Sequence, residues 1–162
     1  MEQRATPGAT AMTIYIKVDD AFLAQVDETW LHRAAVTTLE NEGRTTAELT
    51  LVITDDQVLR ELNRQFRGID APTDVLAFGD ETSEFVCAPD ASDYLGDVII
   101  SYPRAEAQAA GHTVPDEMAL LVVHGVLHLL GYDHDTPSNQ ARMWTQQQAI
   151  LDRLGLASIQ PE

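Results

Sequence analysis

Basic residues are scarce in this sequence. Ten lysines and arginines stand against 26 aspartates and glutamates, which gives a formal net charge of −16 at pH 7. A chain with this balance repels phosphate at long range, so its composition excludes nucleic-acid binding driven by overall charge. An anionic partner must therefore meet a local basic patch. We expect free nucleic acid to bind weakly unless another protein or a larger particle presents it.

Cysteine and long apolar runs are also lacking. The single cysteine, Cys87, excludes an internal disulfide and fits a reducing compartment. The longest apolar stretch, residues 118–130, is interrupted by two histidines and is shorter than the roughly 20 residues that cross a bilayer. Residues 1–12 lack the basic and apolar parts of a leader peptide and are expected to form a flexible N-terminal arm. These features predict a cytoplasmic protein without a membrane partner.

Hydrophobic periodicity predicts strands and helices in a single domain, for which 162 residues are enough. Strands are predicted at 13–18, 47–54, 74–78 and 95–101. Helices are predicted at 20–42, from an N-cap at Thr54 to Arg67, and at 103–110, 114–130 and 136–154. An acidic surface loop is expected at 80–93. This order predicts an α+β domain with one mixed sheet of about four strands packed by about five helices.

Three of the five histidines lie in HGVLHLLGYDH, residues 124–134. His124 and His128 are four residues apart, so a helix places them on one face, where two imidazoles can bind one metal ion. In a continuous helix His134 would point away, and Gly131 is the residue at which the helix can end and the chain can turn back. The pattern H-x-x-x-H-x-x-G-x-x-H thus predicts a metzincin-like zinc site with three protein ligands and a fourth position for water.

The histidine segment lacks one part of the protease pattern. Gly125 stands where zinc proteases of the H-E-x-x-H type have the glutamate that activates water. A site without metal, in which the three histidines only form hydrogen bonds, is the other interpretation. Burying unpaired imidazoles on an apolar helix is costly, which favours the metal site. Asp133 is predicted either to orient a ligand as a hydrogen-bond acceptor or to cap the turn.

The helix that ends at Arg67 has a basic face. Arg60, Arg64 and Arg67 recur at i, i+4 and i+7, so they share one side of the helix. Spacing alone favours a solvated stripe that pairs with the acidic surface of the protein itself.

Three segments carry more specific information. They are LNRQFRGIDAPTDVLAF (residues 62–78), LGDVII (residues 95–100) and HGVLHLLGYDH (residues 124–134). In order and spacing they resemble the signatures of the YbeY family, which are bacterial zinc-dependent endoribonucleases. The resemblance covers residues 13–155 and leaves a C-terminal tail at 156–162. Ala77 and Gly79 replace the serine and proline that the family often has, which concerns local loop shape rather than the metal site.

The resemblance implies one zinc ion per chain on His124, His128 and His134, with Arg67 as the functional arginine near the metal. It implies single-strand-specific cleavage of ribosomal RNA in 3′-end maturation of the small-subunit (16S) rRNA, late ribosome assembly and ribosome quality control. The implied partners are ribosomal RNA, the small ribosomal subunit with its proteins, and an Era-type GTPase. A guanidinium can hold two phosphoryl oxygens, and zinc can lower the pKa of bound water to about 7, so a glutamate base is dispensable in this chemistry.

Further residues in or next to the family-like segments are candidates for the site. Four of them are predicted to bind substrate: Arg60, Asn63, Arg64 and Thr73. Asp74 and Asp97 either belong to the cleft or cap strands and turns.

Two other functions stay open on the sequence alone. A metalloprotease fits the histidine spacing, although Gly125 leaves amide hydrolysis without its base and proton donor. A non-enzymatic ribosome assembly factor with a structural zinc would have a fourth protein ligand in place of water.

Overall fold

The computed structural model describes residues 12–79 and 93–156. Most of the predicted acidic loop, Cys87, the N-terminal arm and nearly all of the C-terminal tail lie outside these residues. Four strands form one sheet in the order β1-β2-β4-β3. Three strands run parallel to one another: β1 (Thr13–Val18), β2 (Ala47–Thr54) and β4 (Asp93–Ser101). Strand β3 (Val75–Gly79) is an edge strand antiparallel to β4, which confirms the predicted mixed sheet.

Five α-helices lie in the described part of the chain, as predicted. They are α1 (Glu28–Asn41), α2 (Asp56–Arg67), α3 (Tyr102–Gln108), α4 (Val114–Leu129) and α5 (Pro137–Arg153). None of the described helices combines the length and the apolar character needed to span a bilayer.

Two predicted helix starts are wrong, and in each case an aspartate side chain caps the helix at a different residue. The helix predicted at 20–42 is a short 3-10 turn (Asp20–Phe22) followed by α1, because the Asp27 side chain accepts a hydrogen bond from the Trp30 N–H at 3.1 Å and caps a new helix. Thr54 stays in β2 and does not cap α2. Instead, the Asp55 side chain accepts a hydrogen bond at 3.0 Å from the backbone N–H three residues later and caps α2. Aspartate ranks above threonine as an N-cap.

Both faces of the sheet are covered by helices. Side chains alternate along a strand, so Leu51 and Ile53 of β2 and Val98 of β4 are buried in the main core with α1, α4 and α5. The opposite face buries Leu76 and Ile99 against α2 in a second, smaller cluster. Helices α2 and α4 therefore lie on opposite faces, and both contact the edge strand β3.

Helix α4 lies directly against the sheet at Gly125. A Cβ atom added there would lie 2.5 Å from Cγ1 of Val98 and 3.4 Å from Cγ2 of Val75. Val98 is fully buried and β-branched, so it cannot move aside without strain. The fold therefore requires a residue without a side chain at the position where a zinc protease has its glutamate.

We expect Gly125→Ala to destabilise the protein by about 1–3 kcal/mol, because the steric overlap outweighs the better helix propensity of alanine. Urea denaturation in the presence of a chelator measures this effect without a contribution from metal binding. The control is Val98→Ala, which removes the two nearest methyl carbons, Cγ1 at 2.5 Å and Cγ2 at 3.2 Å from the added Cβ. The double variant should be more stable than the sum of the two single changes predicts. Full stability of Gly125→Ala would show that the packing argument is wrong.

Candidate metal site and adjoining groove

Helix α4 and the turn after it bring three histidines together. His124 and His128 lie one turn apart near the end of α4. Gly131 then adopts a φ of +102°, and its N–H donates to the carbonyl oxygen of His128 at 3.0 Å. This left-handed residue returns the chain so that His134 joins the other two rings. The predicted three-histidine cluster and the predicted role of Gly131 are both confirmed.

The three rings are spaced to hold a metal ion. One nitrogen from each of His124, His128 and His134 lies within 4.8 Å of the other two. The Nε2 atoms of His124 and His128 are 3.2 Å apart. Two tetrahedral zinc–nitrogen bonds of about 2.0–2.1 Å place their nitrogens about 3.3 Å apart, so this pair fits zinc. Across residues 12–79 and 93–156, no fourth protein ligand joins the cluster.

Gln147 of α5 orients one of these rings. Its Oε1 atom lies 3.0 Å from Nδ1 of His124, and the Gln147 side chain is only 1% exposed. An amide oxygen only accepts, so Nδ1 carries the ring proton and Nε2 keeps the lone pair that a metal requires. Sequence reasoning missed Gln147, although it shares the buried face of α5 with Met143 and Ile150.

The segment between α4 and α5 is held by its own polar groups. Oδ1 of Asp133 accepts a hydrogen bond from the His134 backbone N–H at 2.7 Å. Of the two roles open for Asp133, this contact corresponds to capping the turn. The Trp144 ring packs edge-on against His124 and His134, with centroid distances of 5.9 and 5.8 Å. These contacts restrict the positions of the rings before any metal binds.

The site favours neutral imidazoles. Burial, together with the neighbouring rings of His124 and His134, lowers the pKa of His128 to about 4. Burial also lowers the pKa of His124, and this effect outweighs the hydrogen bond with Gln147, which raises the pKa. Both rings are therefore unprotonated at neutral pH, which is the form that binds metal.

A groove of about 650 Å³ opens beside the histidines. Its walls are the end of α2, strand β3, the second half of α4 and the turn at 131–134. Arg67, Thr73 and Asp133 line this groove together with the three histidines, so the structure brings these predicted site residues into one place. The Arg67 side chain is exposed, and no carboxylate of the described residues forms an ion pair with it.

The other predicted substrate-binding residues lie apart from the groove. Arg60 pairs with Asp70 at 2.8 Å, and Arg64 pairs with Glu61. Asn63 is buried, and its Nδ2 donates at 2.9 Å to a backbone carbonyl of the loop that leads to β3. Asn63 thus fixes the loop that carries Thr73. The binding of substrate by Arg60, Asn63 and Arg64 stays a prediction.

A smaller, acidic cavity of about 210 Å³ also adjoins His124. Glu117 is 2% exposed, with Oε1 at 2.6 Å from Nε2 of His112 and Oε2 accepting from Nε2 of Gln108 at 3.1 Å. The same Gln108 amide donates to Oδ2 of Asp74 at 3.2 Å. Asp74 lines both this cavity and the groove, so a carboxylate does stand beside the histidines.

The remaining residues of the family-like segments have structural contacts. Asp97 accepts a hydrogen bond from the Tyr94 hydroxyl and does not line the groove. Ala77 and Gly79 pair with β4 inside strand β3. The two departures from the family pattern therefore leave the strand intact.

Together, the fold and the site define a single α+β domain with a three-histidine candidate metal site beside an arginine-bearing groove. The sequence profile described as Endoribonuclease YbeY matches residues 13–155. The chain belongs to the endoribonuclease YbeY family, which confirms the resemblance found in the three sequence segments.

Individual relatives agree with this assignment. The chain is 48% identical over 147 residues to Endoribonuclease YbeY of Roseiflexus castenholzii, covering 88% of this chain and 92% of the relative. It is 49% identical over 150 residues to Endoribonuclease YbeY of Chloroflexus aurantiacus, covering 89% and 96%. The solution structure of a Thermotoga maritima protein matches with a TM-score of 0.56 at 24% identity over 88% of each chain. This last likeness concerns the fold.

We expect Gln147→Leu to weaken zinc binding about 10- to 100-fold, because leucine cannot accept the proton of His124 Nδ1. Competition with a chromophoric chelator measures the affinity. Gln147→Glu keeps an acceptor and should retain tight binding. Gln148→Leu is the matched control on the same helix, since the Gln148 amide contacts Asp152 on the exposed side. Equal zinc affinities for wild type and a folded Gln147→Leu variant would contradict this role.

The metal-free protein should lose stability as the pH falls from 6.5 towards 4. The unfolded chain protonates His128 near the ordinary pKa of 6.5, whereas the folded chain protonates it only near a pKa of about 4. Between these values the unfolded state binds more protons, so the free energy of unfolding decreases with decreasing pH. Thermal unfolding with chelator at several pH values should show a shallower dependence for His128→Gln than for wild type. Identical slopes would rule out His128 as a contributor.

Proposed function

We propose that this chain is a metal-dependent endoribonuclease that cleaves single-stranded ribosomal RNA. The observation that carries the proposal is the joint presence, in one groove, of the three-histidine cluster and an arginine that no described carboxylate neutralises. The name Endoribonuclease YbeY, which the relatives carry, supports the reaction class.

The groups of the site divide the chemistry among them. Zinc on His124, His128 and His134 would polarise a phosphoryl oxygen as a Lewis acid. Arg67 can hold two nonbridging oxygens and offset the charge that builds up on them during cleavage. Asp74 can accept the proton of the attacking hydroxyl, since its carboxylate lines the groove and Gln108 holds one of its oxygens.

The biological role is proposed from the family resemblance. The substrate would be small-subunit rRNA during maturation of its 3′ end, in the cytoplasm, with further roles in late assembly and quality control. The small ribosomal subunit, its proteins and an Era-type GTPase would be the partners. The net charge of −16 supports a substrate that a particle presents, because long-range attraction cannot gather free RNA.

Peptide hydrolysis is less well supported. A zinc protease needs a carboxylate next to the first histidine ligand, and the packing of Gly125 against Val98 leaves no room for one. A purely structural zinc would be expected to have four protein ligands, and the described cluster has three.

Arg67→Ala should lower kcat/KM for RNA cleavage by about 10²- to 10³-fold while leaving zinc affinity unchanged, because the guanidinium acts on the phosphate. His128→Ala should remove both zinc binding and cleavage. Arg33→Ala is the matched control, since Arg33 is an exposed arginine on α1, outside the groove. Gel analysis of rRNA fragments gives the rates.

Cells provide the second measurement for this prediction. Strains carrying Arg67→Ala should accumulate small-subunit rRNA with unprocessed 3′ ends, and strains carrying Arg33→Ala should not. If the pure zinc-loaded protein leaves rRNA intact and cells lacking the protein still mature their rRNA, the proposed function is wrong.

A further inference from the structure

An aromatic pair in the groove has no role in the chemistry described above. Phe66 is 56% exposed, although it is among the largest apolar side chains of α2. Its ring centre lies 5.2 Å from that of Phe78 on β3, with 57° between the ring planes. Phe78 is half-buried against the smaller core cluster, so it supports Phe66 from beneath. Single exposed apolar residues are common, but a ring that lies in a groove and packs on a second ring offers a fixed aromatic surface to a ligand.

The position of this pair relative to the site is informative. Phe66 and Phe78 line the same groove as Arg67 and the histidines. Phe66 precedes Arg67 in the last turn of α2, which Gly68 ends with a φ of +73°. Consecutive residues of α2 therefore bring to one groove an aromatic ring and a guanidinium that no carboxylate of residues 12–79 and 93–156 pairs with.

A nucleobase is the ligand that matches an aromatic face beside a cationic group. Every base has a π-face, so stacking on an aromatic side chain tolerates any sequence. A base inside a duplex is already stacked and cannot be reached, whereas an unpaired base can swing out onto a protein ring. Stacking also does not depend on net charge, which suits a chain of charge −16.

We propose that Phe66, supported by Phe78, is the stacking platform for one unpaired nucleobase next to the phosphate that Arg67 holds. The inference rests on the proposed function and extends it, because it assigns the preference for single strands to this ring. The alternative occupant, an apolar side chain of a partner protein, is decided by the experiment below.

Cleavage kinetics give the first test, with single-stranded RNA oligonucleotides and the zinc-loaded full chain. Phe66→Leu should raise KM about 5- to 150-fold with little change in kcat, and Phe66→Tyr should behave as wild type. Tyr15→Leu is the matched control, because Tyr15 is a similarly exposed ring on β1 at the opposite edge of the sheet. A second series of RNAs carries one abasic nucleotide, placed at a different position in each RNA. The KM of wild type should rise at one position only, and the KM of Phe66→Leu should not rise further at that position.

Fluorescence gives a second readout that does not need cleavage. Stopped-flow mixing with RNA that carries one 2-aminopurine should show rapid quenching by wild type and Phe66→Tyr, and none by Phe66→Leu. Quenching that depends on Phe66 without any RNA cleavage would support the platform and overturn the proposed function. Cleavage with an unchanged KM and unchanged quenching in Phe66→Leu would overturn the platform alone.

Two further outcomes complete the test. If Phe66→Leu keeps the wild-type KM on RNA but loses association with the small ribosomal subunit, the ring contacts a protein and the platform is overturned. A wild-type protein that neither cleaves nor quenches would overturn both proposals.

Discussion

The contact between Gly125 of α4 and Val98 of β4 is the constraint on which the site depends. It brings the helix backbone against the sheet, because no side chain separates them. The helix then passes close to the edge strand β3, and His124 and His128 lie one turn apart on the helix face next to this contact. A side chain at position 125 would push α4 outward and move both histidines relative to the groove. Packing and metal geometry are therefore fixed by the same residue.

Electrostatics impose a second constraint, which is local rather than global. Most of the arginines whose contacts are described pair with acids of the protein itself, as Arg60, Arg64 and Arg104 do. Surface pairs of this kind contribute little to stability, but they cancel the positive charge that could attract RNA. Arg67 keeps its charge available at the groove. One such cation can bind a phosphate that has been delivered, and it cannot overcome a net charge of −16 at a distance.

The sequence predicted those parts of the structure that depend on short-range patterns. The four strands, five helices, the histidine spacing and the turn at Gly131 follow from periodicity and from the conformational freedom of glycine. The start of α1 was not predicted, because an apolar stripe runs past Asp27 and hides the cap. The shared face of the three arginines was visible, but the pairing of Arg60 with Asp70 depends on the path of the loop after α2, which spacing does not describe.

Most of the polar contacts around the histidines could not be predicted, because they join elements distant in sequence. Gln147 arrives from α5 and Asp74 from the residue before β3, whereas Glu117 lies on α4 and is linked to Asp74 through Gln108 of α3. Asp74 was a candidate for the cleft on the sequence, but Gln147 and Glu117 looked like ordinary polar residues, and only the packing of the helices on the sheet places them near His124. The same packing explains why no acid stands at the position directly after His124.

The missing acid of the histidine motif is thus a consequence of where the helix packs. In a protease of the H-E-x-x-H type, the ligands and the base share one helix, which must leave the glutamate position free to face the substrate. Here that position is buried against the sheet, so the charged groups that line the groove beside the histidines come from the neighbouring elements. Asp74 enters from β3 and Arg67 from α2, which covers the other face of the sheet. A groove that holds a cation and a carboxylate together with the histidines complements a phosphodiester, whose reaction gathers negative charge, better than a neutral peptide bond.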